Sequence, residues 1–148
     1  MTVYSEELFK RVFTVYGHNF DTAGETSTEI KSILKGLEID SDIIRRALVV
    51  AFEAEMNVVM YANIGTVSFV ITDEAIDIEV ADEGPGIPDI EQAMQEGFST
   101  ASDEMREKGF GFGMGLPNIK KNSDVLKIES DVGKGTKLLA RIRLDSNA

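Results

Sequence analysis

The sequence predicts an α+β protein in which a mixed, mainly antiparallel sheet packs against a helical layer as a two-layer sandwich. Two observations lead to this fold class. Apolar residues recur at helical spacing in two segments of the first half, and they alternate with polar residues in shorter segments elsewhere. The length of 148 residues fits one domain with a substantial core, so residues 1–148 are expected to fold as a single unit.

The first part of the chain predicts one strand and two helices. Apolar and polar residues alternate over residues 8–16, which indicates a strand. The apolar residues of the next segment follow helical spacing, and Gly36 is suited to end that helix. Asp40 or Ser41 can cap a second, longer helix that extends to about Ala62 and is apolar nearly all round, so we expect it to be largely buried.

The rest of the chain predicts four strands and two short helices. The strands are expected at 67–71, 76–80, 125–129 and 137–144, the helices at 89–95 and 117–121, and the loops at 82–88 and 97–115. The last two strands flank Gly133-Lys134-Gly135, which is suited to the turn of a hairpin.

Composition excludes several kinds of site. The chain contains no cysteine and one histidine, which excludes disulfides, thiolate zinc sites, cysteine nucleophiles and multi-histidine metal cages. A formal net charge of -11 disfavours binding to nucleic acid or to an anionic membrane. No apolar run approaches the roughly 18–20 residues of a membrane span, and the N-terminus lacks the plan of a signal peptide, so we expect a cytoplasmic protein.

Two polar residues interrupt the apolar surface of the long helix. Glu53 and Asn57 are four residues apart, so their side chains project from one face. A carboxylate in an apolar setting is costly unless it is paired, hydrated or bound to a metal. Taken alone, the pair is more simply interpreted as the edge of a solvent-facing strip or as partners of nearby backbone. Glu55 is interpreted in the same way and lies on a different face.

A glycine-containing loop follows the third predicted strand. Gly84 and Gly86 allow the backbone to approach a flat ligand closely, because glycine has no Cβ. Asp82, at the end of the strand, can accept a hydrogen bond from an exocyclic amine such as that of adenine. The alternative interpretation of this segment is an ordinary acidic turn.

Glycine occupies every second position from residue 109 to residue 115. Packing does not explain this spacing well, because each glycine costs about 0.5–1 kcal/mol in a regular element. A run of bare amides followed by a helix N-terminus favours an anion, and phosphate is the natural candidate. The segment matches neither a Walker loop nor a Rossmann turn, and a glycine-rich segment without a ligand remains the alternative.

In their order and spacing, these segments resemble the sequence boxes of the GHKL ATPase superfamily, whose ATP-binding domain has the Bergerat fold. Glu53-x-x-x-Asn57 is similar to the N box, Asp82-x-Gly84-x-Gly86 to the first glycine box, Gly113-x-Gly115-Leu116 to the second, and Gly135-Thr136 to the terminal Gly-Thr pair. The chain has no room for a transducer domain and lacks a phosphoacceptor-histidine hairpin. It therefore resembles the anti-sigma-factor serine/threonine kinases, in particular their switch-kinase branch.

The resemblance implies a single ATPase domain over residues 1–148 that binds ATP with Mg²⁺. Asn57 would hold the metal, Glu53 would be the general base, and Asp82 would bind the adenine amino group. The other residues that the resemblance assigns to the nucleotide site are Gly84, Gly86, Ile87, Thr100, Lys108, Gly109, Gly111, Gly113, Gly115, Leu116 and Thr136. Lys108 stands near the position where many relatives carry an arginine, so ATP binding is more firmly implied than turnover.

The function that the resemblance implies is phosphorylation of a STAS-type anti-anti-sigma protein, binding of a sigma factor, or both. The alternative is an ATP-gated protein-binding module with little or no kinase turnover. Related kinases also suggest a homodimer by analogy. Neither nucleic acid nor a membrane is an expected partner.

Overall fold

The structure is a computed structural model, which describes residues 6–97 and 115–144. The elements of these residues, in chain order, are β1 (Glu7–Tyr16), α1 (Glu25–Lys35), α2 (Ser41–Tyr61), β2 (Ile64–Thr72), β3 (Ala75–Glu83), α3 (Ile90–Ala93), α4 (Gly115–Asn122), β4 (Val125–Asp131) and β5 (Gly135–Arg143). The predicted order of strands and helices is confirmed. The predicted α+β sandwich is confirmed as well, because helices pack on one side of a five-stranded sheet.

The sheet has the strand order β1-β2-β3-β5-β4, and each of these pairings is antiparallel. Alternating side chains on the three central strands face the helices and form the core, among them Phe69, Ile78 and Ala140, each 0% exposed. Because side chains alternate along a strand, Asp82 follows Ile78 on the same face of β3. The end of the third strand therefore directs a carboxylate towards the helical layer.

Helix α2 lies across the inner face of the sheet and contacts β1, β2, β3 and β5. The side chain of Asp40 accepts a hydrogen bond from the Asp42 amide at 2.9 Å, so the predicted cap is confirmed. Ala47, Val50 and Ala51 are fully buried on its inner side. Burial is less complete than the sequence predicts, because Phe52 on the outer side remains 42% exposed.

Two short elements differ in length from the sequence prediction. Helix α3 is a single turn rather than a segment that extends to residue 95. Helix α4 begins at Gly115, two residues before Pro117, because proline fits anywhere in the first turn, where its missing amide has no partner to lose. Within residues 6–97 and 115–144, no helix combines the length and apolar character that a membrane span requires.

The N-terminus of α1 is capped by a carboxylate from α2 rather than by a residue of its own. Gly24 stands at the cap position with a φ of 95° and has no side chain to offer. Glu55 accepts hydrogen bonds from the amides of Gly24 at 3.0 Å, Thr26 at 3.3 Å and Ser27 at 2.9 Å, and from the Ser27 hydroxyl. Glu55 is 2% exposed, so these bonds replace the water that its carboxylate loses on folding.

Glu55→Gln is expected to lower the free energy of unfolding by roughly 2–4 kcal/mol, because an amide cannot accept from every donor that now faces the carboxylate. Urea unfolding measures the loss. The matched control is Glu29→Gln on α1, whose exposed pair with Arg11 at 3.3 Å should contribute less than about 1 kcal/mol. Equal effects of the two substitutions would contradict the capping role of Glu55.

Candidate nucleotide site

Glu53 and Asn57 lie on one face of α2 and face the first residue of α4. A Cβ built on Gly115 would be 3.2 Å from Asn57 Oδ1 and 3.3 Å from Glu53 Oε2, which is tighter than an ordinary contact. Asn118, one turn further along α4, donates from Nδ2 to Glu53 Oε1 at 3.5 Å. The structure therefore brings the Glu/Asn pair to the N-terminus of a helix, where a side chain at position 115 would crowd both groups.

The carboxyl of Glu53 has a perturbed acidity. Its pKa is raised because burial removes water from the charged form, and the hydrogen bond from Asn118 opposes this shift. A carboxylate with a raised pKa binds a proton more strongly, which suits a group that must take a proton from a hydroxyl.

Asp82 stands at the other end of the site, where β3 leaves the sheet. Its Oδ1 accepts a hydrogen bond from the Thr136 amide at 3.1 Å, which orients the carboxylate. Burial raises the pKa of Asp82, and the bond from Thr136 opposes the shift. Gly135, at a φ of 147°, passes so close to Asp82 that a Cβ would collide with its carbonyl oxygen. Glycine at position 135 is therefore needed for the strand to reach this carboxylate.

The first glycine loop is attached to the terminal hairpin through Ser130, a residue that the sequence analysis did not select. Ser130 Oγ accepts from the Ile87 amide at 2.7 Å and lies 2.9 Å from Thr136 Oγ1. Gly86 adopts a φ of 78° and packs against the backbone of Asp131, where a Cβ would collide. Only the register of β4 and β5, which pairs Ser130 with Thr136, reveals this connection.

The described site residues form two groups that α2 connects. Gly84 lies beside Ala62, the residue that follows α2: a Cβ added to Gly84 would be 3.1 Å from Ala62 Cα. From Ala62 back to Glu53 the helix rises by about 14 Å. Leu116 differs from the rest because its side chain packs against the hydrophobic core. Five predicted site residues lie outside the described ranges: Thr100, Lys108, Gly109, Gly111 and Gly113.

The donor chemistry at Glu53 and Asn57 fits Mg²⁺ better than a metal that needs a protein cage. Within the described residues no group of three or more histidine, cysteine, aspartate or glutamate side chains could hold a metal ion. Mg²⁺ prefers oxygen donors and is usually held by one or two side chains together with substrate phosphates. Asn57 Oδ1, next to the bare backbone at Gly115, offers such an oxygen ligand.

The family of histidine kinase-, DNA gyrase B- and HSP90-like ATPases matches residues 41–146 of the chain. The chain belongs to this ATPase family. The matched range begins at α2 and ends past β5, so it includes all described residues of both site groups. Membership of the family makes the chain an ATP-binding protein.

Individual relatives carry the assignment further. The anti-sigma F factor of Caldanaerobacter subterraneus subsp. tengcongensis is 31% identical over 132 residues, which cover 89% of this chain and 80% of that protein. The serine/threonine-protein kinase RsbT of Bacillus subtilis is 35% identical over 92 residues, 60% of this chain and 63% of that protein. The resemblance to the anti-sigma-factor kinase branch is therefore confirmed.

A solved structure supports the fold independently of sequence similarity. A chain in the crystal structure of the SiaB–SiaC complex from Pseudomonas aeruginosa superposes on this one with a TM-score of 0.62. The match covers 92% of this chain and 89% of that chain, with 13% sequence identity. At this identity the likeness concerns the fold alone.

The raised pKa of Glu53 predicts a pH-dependent effect of Glu53→Gln on stability. Between the ordinary and the raised pKa, the folded state binds more protons than the unfolded state, so wild-type stability falls as pH rises through this window. Glutamine does not titrate. The melting temperature of Glu53→Gln minus that of the wild type should therefore increase from pH 4 to pH 7.5 in thermal scans. A constant or decreasing difference would contradict the assigned shift.

Proposed function

We propose that this chain is a Mg-ATP-dependent serine/threonine protein kinase that regulates a sigma-factor pathway by phosphorylating a STAS-type protein. One observation carries the proposal: Glu53 and Asn57 meet at Gly115, the first residue of α4. The proposed base and the proposed metal ligand thus lie beside a helix N-terminus, which favours phosphate, and this supports the proposal.

In the proposed complex, the adenine end of the nucleotide lies at Asp82. The carboxylate accepts a hydrogen bond from the adenine amino group while the Thr136 amide holds it in place. Gly84, Gly86 and Ile87 form the adjoining wall. The bond from Ile87 to Ser130 keeps that wall attached to the β4–β5 hairpin, so the pocket does not depend on the loop alone.

At the other end, Asn57 would be the protein ligand of Mg²⁺, which offsets phosphate charge and orients the terminal phosphate. Glu53 faces the same place and accepts the proton of the acceptor hydroxyl as that oxygen bonds to phosphorus and the bond to ADP breaks. Asn118 orients the carboxylate of Glu53 through their hydrogen bond. Since a protonated Glu53 cannot act as a base, the transfer rate rises as the pH rises through its pKa.

The proposal also covers location and assembly. ATP is a cytoplasmic metabolite, and we propose that the chain acts in the cytoplasm with a STAS-type protein, a sigma factor, or both. We further propose a homodimer that forms through β1, an edge strand whose Val12 is 54% and Tyr16 59% exposed. Sedimentation equilibrium measures the dimer, and a monomer at all concentrations would exclude it.

Asp82→Asn is expected to weaken Mg-ATP binding by about 100-fold or more. With its oxygen bonded to the Thr136 amide, asparagine would present its NH2 donor where the adenine amino group needs an acceptor. Isothermal titration calorimetry gives the affinity, and urea unfolding checks that the variant folds. Glu79→Gln is the matched control, since Glu79 lies on the opposite face of the same strand. Wild-type affinity in Asp82→Asn would show that adenine binds elsewhere.

Glu53→Gln is expected to bind Mg-ATP within about twofold of the wild type and to lose phosphate transfer by about 10²–10⁴-fold, because the base is removed while the nucleotide contacts remain. The assay combines labelled ATP with a panel of purified STAS-type proteins, and exposed Glu91→Gln is the control. Transfer that persists in Glu53→Gln would reject this base. Binding of a panel member that requires ATP, without any transfer by the wild type, would favour the ATP-gated module instead.

A further inference from the structure

One strip of α2 is largely apolar and only partly covered by the rest of the protein. Ile44, Leu48 and Val49 are half-buried, and Phe52 is 42% exposed. Together with Ser41, Arg45 and Glu53 they line a shallow groove along the helix. The lining positions recur at intervals of three and four residues, so they form one continuous face.

The position of the groove relative to the nucleotide site is defined by α2 itself. Gly84 lies against Ala62 beyond the C-terminal end of the helix, and Gly115 lies against Glu53 and Asn57. The adenine end is therefore about 14 Å from Glu53 along the helix in one direction. The groove runs from Glu53 to Ser41, about 18 Å in the other direction. Glu53 is the point at which the phosphate end of the nucleotide and the groove meet.

The groove also differs in charge from the rest of the chain, whose formal net charge is -11. Glu53 is the only carboxylate among its lining residues. Arg45, the lining cation, already pairs with Asp42 at 2.9 Å, and both side chains of this pair are exposed. The groove therefore offers little to an anionic ligand. A protein surface can cover this apolar, weakly charged face without burying an unpaired charge.

We propose that this groove docks the phosphoacceptor protein, a folded partner that carries a serine or threonine hydroxyl in a loop beside an apolar patch. The inference rests on the proposed kinase function and names the surface that selects the acceptor. With the apolar patch seated on Leu48 and Phe52, the hydroxyl reaches Glu53 from the side opposite the nucleotide. Phe52 directly precedes Glu53, so docking and proton transfer occur at adjacent residues.

The first test compares Phe52 with Leu37, because the two apolar side chains are equally exposed. Phe52→Ser should weaken binding of the STAS-type acceptor by about tenfold and raise its KM similarly, with kcat and ATP affinity unchanged. Leu37→Ser removes a side chain that is also 42% exposed but lies outside the groove, and it should change binding by less than about twofold. Calorimetry with a nonhydrolysable ATP analogue measures binding, and an unchanged KM in Phe52→Ser would reject the docking site.

The second test uses thiol labelling, because the chain contains no cysteine. Phe52→Cys and Leu37→Cys each introduce one thiol, and both should react readily in the free protein. The acceptor should slow labelling of Phe52→Cys alone. If Phe52→Cys is already protected in the free chain, or if the ATP analogue alone protects it, the chain itself covers the groove and the proposal is wrong.

These experiments separate the docking proposal from the kinase proposal. A STAS-type protein that protects Phe52→Cys but receives no phosphate from the wild type supports docking at the groove and rejects the kinase. Transfer that Phe52→Ser leaves unchanged supports the kinase and rejects the groove. If no STAS-type protein of the panel binds, the assigned acceptor class is wrong and the docking proposal falls with it.

Discussion

Burial of α2 against the sheet is the constraint on which both the fold and the site depend. A buried polar group that finds no partner costs about 1–3 kcal/mol, so each polar side chain of this helix must be accounted for. Glu55 is satisfied inside the protein by the amides at the start of α1. Glu53 and Asn57 face the bare backbone at Gly115 instead. Two carboxylates two residues apart thus have different surroundings because they occupy different faces of the helix: Glu55 accepts from backbone amides, whereas Glu53 faces the candidate nucleotide site.

The end of the candidate site at Asp82 depends on hydrogen bonds between segments that are distant in sequence. Asp82 is held by Thr136, and the loop that follows Asp82 is held by Ser130. Both partners belong to the terminal hairpin, whose strand β5 pairs directly with β3. The register of the sheet therefore helps to position Asp82 and the loop that follows it. Both are bonded to the hairpin, so their positions do not depend on the loop alone.

Periodicity was sufficient to predict the elements, whereas the candidate site residues were assigned through the resemblance of four ordered motifs to the GHKL boxes. The spacing of Glu53 and Asn57 placed them on one helix face, and strand alternation from Ile78 to Asp82 directed that carboxylate inward. The roles of Ser130 and Glu55 could not be predicted in this way. Ser130 acts through the register of a hairpin, and Glu55 acts on a helix some thirty residues away, so both depend on tertiary contacts that no local pattern encodes.

The start of α4 and the outer strip of α2 show a second limit of sequence patterns. Gly115 is a poor helix former, yet it begins α4, because the first turn tolerates residues that the helix interior does not. An apolar helix face predicts burial but not the identity of what buries it. The sheet does not bury Phe52, whose side chain is 42% exposed on the outer side of α2.

The division of α2 into separate faces has a consequence for how such proteins diversify. Substitutions on the buried faces disturb packing or the cap of α1, and substitutions at Asn57 or Glu53 change the groups that face Gly115 in the candidate site. Phe52, on the outer side, is 42% exposed and is not part of the hydrophobic core. Under the docking proposal, substitutions at a few surface positions of this one helix would change the partner that binds while Glu53 and Asn57 stay unchanged.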